Sequence, residues 1–486
     1  MVLTRSREWQ LAAGAAVVLV ALRSVVPLTW QQLDFDADQA IVGLMAKHLA
    51  EGRDFPLFFY GQNYMLGVQA WMAVPFIWLW GATVTAIRMP LLLINLAMAA
   101  SFVTVLVRHQ VRPAFAFVAA LPVIVTTPAV SAGLYETLGA SVEPILYVLI
   151  LWALRRKLVP FGIVFCIGVL HREFTVFALP AIAVALWIEG DVPSWRDVAR
   201  GAAACVGTWV AIDLLKLAIG SGSLAQQAET IGSWISLDGY LIRLESAIAR
   251  GVPALFGGRA MRLFTFSIRS TLTTGWVVAG SALFAALAVC LVGVIRVAAD
   301  PVRRPSLRRS AFSAYLAVIA LGTLAAYGLN DGIDPDAAPV IRYLLFLLLL
   351  PIALLGAFFQ LEAAARWRRL VVAAMAVWAA FTLTDNVRLF HEYRTAAPPD
   401  EFQMLADHLV AHGIQYGRAQ YWDAYVVNFL SQEQVILAST TFIRVESYQR
   451  IVEEHGDRAV SIERTPCTSG PVFMSWCIAD PLGRIK

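Results

Sequence analysis

Charge is what this sequence has least of. Only 15% of its 486 residues are Asp, Glu, Lys or Arg, while 59% are hydrophobic; a soluble domain carries about 25% charge. So little charge cannot cover a soluble surface, and a mean hydropathy of +0.67 points to a polytopic membrane protein. There is no Gly-rich phosphate loop, no Ser-His-Asp order, no zincin motif and no haem motif, so nucleotide-phosphate, serine-hydrolase and metalloprotease chemistry lose their usual signatures. No repeat recurs at a fixed period, and no low-complexity tract interrupts the chain. Cysteine is scarce: of five, Cys166, Cys205 and Cys290 lie in apolar runs and read as small buried hydrophobes. Cys467 and Cys477 lie in a polar tail, where a disulfide is expected if the tail is extracytoplasmic. The net charge of +4 is small. Its arginines cluster in loops between apolar runs, which marks topology and not a nucleic-acid surface.

Those apolar runs come next. Segments of roughly 17–25 such residues span a bilayer, and runs of about that length occur at about 10–28, 86–107, 114–133, 138–154, 200–219, 272–296, 311–329, 343–361 and 370–385. No cleavage site follows the first, which is expected to remain as a span. Residues 158–188 are apolar on both sides of His171-Arg172-Glu173, and read as two short or broken spans. The basic clusters Arg5/Arg7, Arg108/Arg112, Arg155/Arg156/Lys157, Arg196/Arg200, Arg303/Arg304/Arg308/Arg309 and Arg366/Arg368/Arg369 all become cytoplasmic under one condition. Met65–Trp80, short and rich in Trp, must lie at the interface or re-enter. The expected fold is then an all-α polytopic core of about 11 spans, residues 1–385, with the N-terminus inside and a first outer loop at about 30–85. Residues 386–486 have ordinary soluble composition, helical near Asp400–His412 and strand-like at Gln434–Ala438. They are expected to form a small α/β domain outside.

The most informative stretch is Leu33–Gly67. Asp34, Asp36 and Asp38 fall within five positions of a chain poor in charge. Carboxylates beside a span are costly unless they face water, a metal or a cation. Ile41, Val42, Leu44, Met45 and Leu49 follow with amphipathic-helix spacing starting near Asp38. A carboxylate there can cap the helix. Equally, it can take a proton from a hydroxyl or hold a divalent ion. Spacing alone leaves these readings open. The Asp36-Ala37-Asp38 triplet lacks the α/β context of a nucleotide-sugar site.

From Asp36 through Gly81 the sequence resembles the first outer loop of GT-C superfamily glycosyltransferases, such as the protein O-mannosyltransferases and the lipid A aminoarabinose transferases. Asp38-Gln39 stands where Asp-Glu is usual; Gly52, Pro56, Tyr60-Gly61-Gln62, Tyr64, Gly81 and Arg88 fit the rest, and Arg342-Tyr343 at the head of a span also matches. In the tail, Tyr421-Trp422-Asp423-Ala424-Tyr425 resembles some bacterial members. The resemblance implies Asp38 as catalytic base, a polyprenyl-phosphate sugar as donor (mannose or a pentose), inverting transfer, and a glycan, lipid or protein as acceptor. It also implies a bacterial inner-membrane location. Gln39 removes a carboxylate and weakens a metal bound by the pair, so no cofactor is required, although a divalent ion is left open.

A departing phosphate needs cations, best of all Arg. Arg342, Arg172, Lys47, Arg88 and the long-loop Arg243, Arg250, Arg259, Arg262 and Arg269 are the outer-side candidates. Arg342 could equally be a snorkelling anchor, and Arg172 could pair with Glu173. Asp36, Gln39 and Gln62 are candidates for substrate contact, and Glu136 for an acceptor groove; Arg342 and Tyr343 complete the set. Tyr60, Tyr64 and Trp71 fit sugar stacking or the aromatic belt. His171 reads as a polar partner in the helix break, Asp213/Lys216 as a structural pair, and Glu143 as a bond to a neighbouring helix. The rival function is a transporter or flippase of lipid-linked saccharides, which often shows paired broken helices. Only one break is evident.

Overall fold

A computed structural model describes residues 2–62, 64–138, 142–219, 236–257, 276–330, 334, 341–362, 364–466 and 470–484. The helical part runs α1 (Val2–Arg23), α2 (Val25–Thr29), α3 (Ala37–Ala50), α4 (Val68–Trp80), α5 (Val84–Arg108), α6 (Pro113–Ile124), α7 (Pro128–Gly133), α8 (Glu143–Leu154), α9 (Leu158–His171), α10 (Ala178–Glu189) and α11 (Trp195–Ile219). It continues with α12 (Leu237–Ser246), α13 (Val252–Phe256), α14 (Trp276–Ala299), α15 (Ala311–Gly328), α16 (Leu349–Leu361) and α17 (Ala365–Ala396). Among the described residues five helices are long and apolar enough to cross a membrane, and α4, α6, α8, α9 and Leu345–Leu361 are shorter apolar pieces. Their shared core joins α1, α5, α6, α8, α10, α15, α16 and α17.

Local chemistry sets the breaks. Asp36 opens α3 by accepting from the Gln39 N–H at 3.0 Å, and Thr83 opens α5 in the same way from Ala86. The run at 114–133 divides where Thr127-Pro128 starts α7, because proline cannot continue a helix's hydrogen bonding. The break at 158–188 falls on Arg172, whose backbone is extended (φ −146°, ψ 106°) before a 3-10 turn at Glu173–Phe177. The Trp-rich segment 65–80 forms only the 13-residue α4, packed against α3 and α5. Most of the segments 220–270 and 330–342, expected from the sequence to be outer loops, lies outside the described residues, including Arg259, Arg262 and Arg269.

Helix α17 runs straight through position 385, and the C-terminal unit begins at α18 (Glu401–Ala411). There β1 (Tyr416–Ala419), α19 (Tyr421–Leu430), β2 (Ile436–Ser439), α20 (Glu446–Glu454) and β3 (Val460–Arg464) form a parallel β-α-β-α-β unit. β4 (Val472–Phe473) and β5 (Trp476–Ala479) add antiparallel strands, in the order β2-β1-β3-β5-β4. Cys477 on β5 is disulfide-bonded; Cys467 lies outside the described residues. The unit sits on α3, α4 and the start of α5 through a second apolar core that includes Ile41, Ala70, Tyr421, Tyr425 and Phe429. The approach is close because Gly43 has no side chain: a Cβ there would lie 2.4 Å from the Phe429 ring.

Candidate active site

A cavity of about 530 Å³ opens between the helical core and the C-terminal unit, within the size range of small-molecule sites. Four parts of the chain build it. The first loop brings Asp38 on the opening turn of α3, together with Gln62 and Tyr64; the break after α9 brings Arg172 and Glu173. The turn Ile341–Tyr343 brings Arg342 and Tyr343, and the C-terminal unit brings Tyr421, Trp422, Phe442 and Arg444. Tyr421 follows β1 and Arg444 follows β2, so both sit beyond the carboxyl ends of parallel strands, where open α/β sheets place their ligand-binding groups. Three arginines face two carboxylates, Asp38 and Glu173, which leaves the cavity net positive and suited to an anion.

Asp38 is half-buried, and its Oδ1 accepts from the Tyr421 hydroxyl at 2.5 Å. Burial, and then the adjacent Asp38 carboxylate, push the Tyr421 hydroxyl well above the ordinary phenol range. It therefore stays a donor. The neighbouring Asp36 is half-buried beside two like charges; burial first and Asp38 second push its carboxyl up to about 8. At neutral pH Asp36 is accordingly a neutral cap, and Asp38 faces the cavity without a second anion at that position. Arg172 donates to the Leu138 carbonyl at 2.9 Å. Arg342 donates to the Tyr343 hydroxyl at 3.0 Å and feels the fields of Asp38 and Glu136. Arg444 donates to the Gly61 carbonyl at 3.2 Å, and Gln62, with its amide turned to suit, accepts from Arg444 Nη2 at 2.9 Å.

Asp38, Gln62, Tyr64, Arg172, Arg342 and Tyr343 thus share one cavity. The other candidates lie off it. Gln39 is buried, donating to the Asp34 carbonyl and accepting from Arg88 at 3.4 Å. Arg88 is 1% exposed and holds the carbonyls of Pro27 and Leu33 at 2.7 and 2.8 Å, so it ties α5 to the first loop. Asp36 spends an oxygen on the helix cap. Glu136 is half-buried near Arg88 and Arg342. Tyr60 donates to Asp54 at 2.7 Å and meets His48 at 2.9 Å. Lys47 binds Glu433 at 2.5 Å and Glu51 at 3.1 Å. His171 meets the Tyr147 hydroxyl at 3.0 Å in the helix break, and Glu143 accepts from Gln69. Lys216 is buried over the Phe58 ring. Trp71 donates to the Pro56 carbonyl at 2.8 Å. Sequence reasoning passed over Arg444 and Phe442, which carry no local signal; only their place after β2 singles them out. Among the described residues no group of three or more His, Cys, Asp and Glu side chains converges as a metal site.

The C-terminal unit is fastened beside the cavity by Glu433. Its carboxylate accepts from Lys47 at 2.5 Å, His48 at 3.0 Å, Tyr448 at 2.8 Å and Arg53. Burial raises its pKa, but hydrogen bonds from His48, Arg53 and Lys47 outweigh this and hold the carboxyl well below the usual range.

No family model matches the chain, and no curated protein matches it. Solved structures do. ArnT from Cupriavidus metallidurans in the apo state aligns over 93% of this chain and 93% of its own, at 13% identity and a TM-score of 0.56. The apo oligosaccharyltransferase of Archaeoglobus fulgidus aligns over 93% of this chain and 69% of its own, at 11% identity and a TM-score of 0.49. The helical membrane core with a small sheet-bearing unit at its C-terminal end is the GT-C fold.

Proposed function

We propose that this protein is an integral membrane glycosyltransferase that moves a hexose or pentose from a polyprenyl-phosphate carrier to a hydroxyl of a glycan, lipid or protein of the cell envelope. The observation that carries the reading is the cavity itself, where Asp38 faces Arg172, Arg342 and Arg444. The acceptor oxygen attacks the anomeric carbon and passes its proton to Asp38. A new carbon–oxygen bond forms on one face while the bond to the phosphate oxygen breaks on the other, and its electron pair leaves with the polyprenyl phosphate. One displacement inverts the anomeric centre. The leaving group gains negative charge during this step, and cavity arginines stabilise that charge more in the transition state than before it.

In this reading the chain lies in a bacterial inner membrane with about eleven spans. The N-terminus is cytoplasmic, and the cavity and C-terminal unit are extracytoplasmic. The positive-inside pattern of the loops supports that orientation. Asp38→Asn in the full-length protein tests the function. Reconstituted with radiolabelled polyprenyl-phosphate mannose or pentose and envelope lipids and proteins, it is expected to lose transfer by about 10²- to 10⁴-fold, the usual contribution of a general base. Undiminished transfer removes Asp38 from the mechanism. Movement of the labelled lipid across the bilayer with no transfer, in the unaltered protein, replaces the enzyme reading with a flippase.

A further inference from the structure

We infer that the soluble C-terminal unit is part of the catalytic apparatus, with Tyr421 as a positioning residue that holds Oδ1 of Asp38 and leaves Oδ2 to take the acceptor's proton. The inference rests on the reading of Asp38 as the base.

The two residues are 383 positions apart in sequence, and docking of the C-terminal unit brings them together. Tyr421 is 3% exposed, and its ring is wedged edge-on against Trp422, Tyr425 and Phe442 at 5.0, 5.3 and 5.9 Å. Those contacts fix where the hydroxyl points. The Arg444 guanidinium lies 5.8 Å from the ring, and its charge offsets only part of the upward push on the phenol, which stays a donor. Tyr425, one helical turn on, shows how a tyrosine serves structure alone. Its hydroxyl accepts from the Arg444 and Val445 amides at 2.6 and 3.2 Å and pins the loop after β2. The Tyr421 hydroxyl instead reaches out of its own unit to a cavity carboxylate.

The physical need is clear. An aspartate on the first turn of a helix can rotate its carboxylate freely, and a base must present one lone pair along the acceptor's O–H direction. A rigid donor on one oxygen fixes the plane of the carboxylate, and among the described residues Asp38 Oδ2 makes no hydrogen bond within the protein. Active-site groups held by a packed supporting shell keep their productive geometry, whereas loosely held ones lose rate without losing binding.

Tyr421→Phe removes only the hydroxyl and keeps the ring contacts. In the full-length protein, reconstituted with the same two radiolabelled donors, kcat is expected to fall roughly tenfold to hundredfold, as for loss of a hydrogen bond to a charged group. The KM for donor is expected to stay within about twofold, since the interaction acts on the chemical step. Asp38→Glu supplies the second background, because its carboxylate sits one methylene farther out and no longer meets the hydroxyl. There Tyr421→Phe is expected to cost less than about twofold, a coupling that two independent residues do not show. An unchanged kcat, a loss confined to KM, or an equal cost in both backgrounds overturns the positioning role. Asp38→Asn separates the two claims. If it is inactive while Tyr421→Phe is fully active, only the role of Tyr421 falls; if it is active, the assignment of the base falls.

Discussion

Replacing Glu433 with Gln tests how the C-terminal unit is held over the cavity. The Glu433 side chain is 9% exposed and receives four donors from Lys47, His48, Arg53 and Tyr448. Breaking a buried ion pair costs about 3–5 kcal/mol when the partner charge is stranded. Here the partners are not stranded: Lys47 keeps Glu51 at 3.1 Å, and Arg53, 47% exposed, keeps Glu51 and water. Gln also preserves one carbonyl acceptor. The cost therefore falls nearer that of one or two charge-assisted hydrogen bonds, about 2–3 kcal/mol, or roughly 30- to 150-fold in the ratio of docked to undocked unit. Hydrogen exchange of the full-length protein reads this directly. Amides of α3 and α19 should exchange faster by that factor while α15 and the second half of α5 stay unchanged. Acid should mimic the variant. The folded pKa of Glu433 lies below its ordinary 4.5, so its contribution is fully present above pH 4.5 and is lost progressively as pH falls further. Exchange in α3 and α19 altered by less than about threefold would refute the idea that this carboxylate is the clasp.

Two other perturbations probe neighbouring features. Asp36 has its folded pKa raised from 3.8 to about 8, so its stabilising contribution is full below pH 3.8 and is lost as pH rises through 8. Asp36→Asn keeps the helix cap, and its melting temperature should fall less than that of the unaltered protein between pH 5 and about 9, measured in nanodiscs. Gly43→Ala places a Cβ 2.4 Å from the Phe429 ring. It should cost about 1–3 kcal/mol of docking, as overpacking does, read by the same exchange experiment, and Phe429→Leu should recover part of the loss.

Much of the fold was legible because it is written locally. The break at His171-Arg172-Glu173 and the strand at Ile436–Ser439 each follow from a few neighbouring residues, whereas the cap of α3 falls on Asp36 and not, as the spacing suggests, on Asp38, which lies in the first turn. Of the residues singled out from the sequence and its resemblance, Asp38, Gln62, Tyr64, Arg172, Arg342 and Tyr343 line one cavity. What was not legible is which way a side chain faces. Lys47 lies nine residues after Asp38 on α3, which is two and a half turns at 3.6 residues per turn. It therefore points to the opposite side and meets Glu433. Arg88 looks like a free cation in sequence, yet it is spent on two backbone carbonyls from a distant loop. Arg444 is one tail arginine among several until the order of strands places it at the cavity.

The brevity of α6, α8 and α9 bears on how a membrane enzyme reaches a lipid-borne substrate. At 1.5 Å per residue, their 12, 12 and 14 residues measure about 18, 18 and 21 Å, against a hydrocarbon layer of about 30 Å. Each is anchored at one end by the basic residues Arg112, Arg155 or Lys157, and gives out at the other, where α9 ends at the cavity wall. The missing length amounts to about two helical turns apiece. On the membrane orientation proposed above, these helices stop short of one face of the bilayer, and Arg172 at the end of α9 would lie below the headgroup plane. In that reading a carrier lipid sliding in sideways would present its phosphate to the cavity without lifting its tail from the membrane, so the desolvation of a long hydrocarbon chain would not enter the cost of transfer.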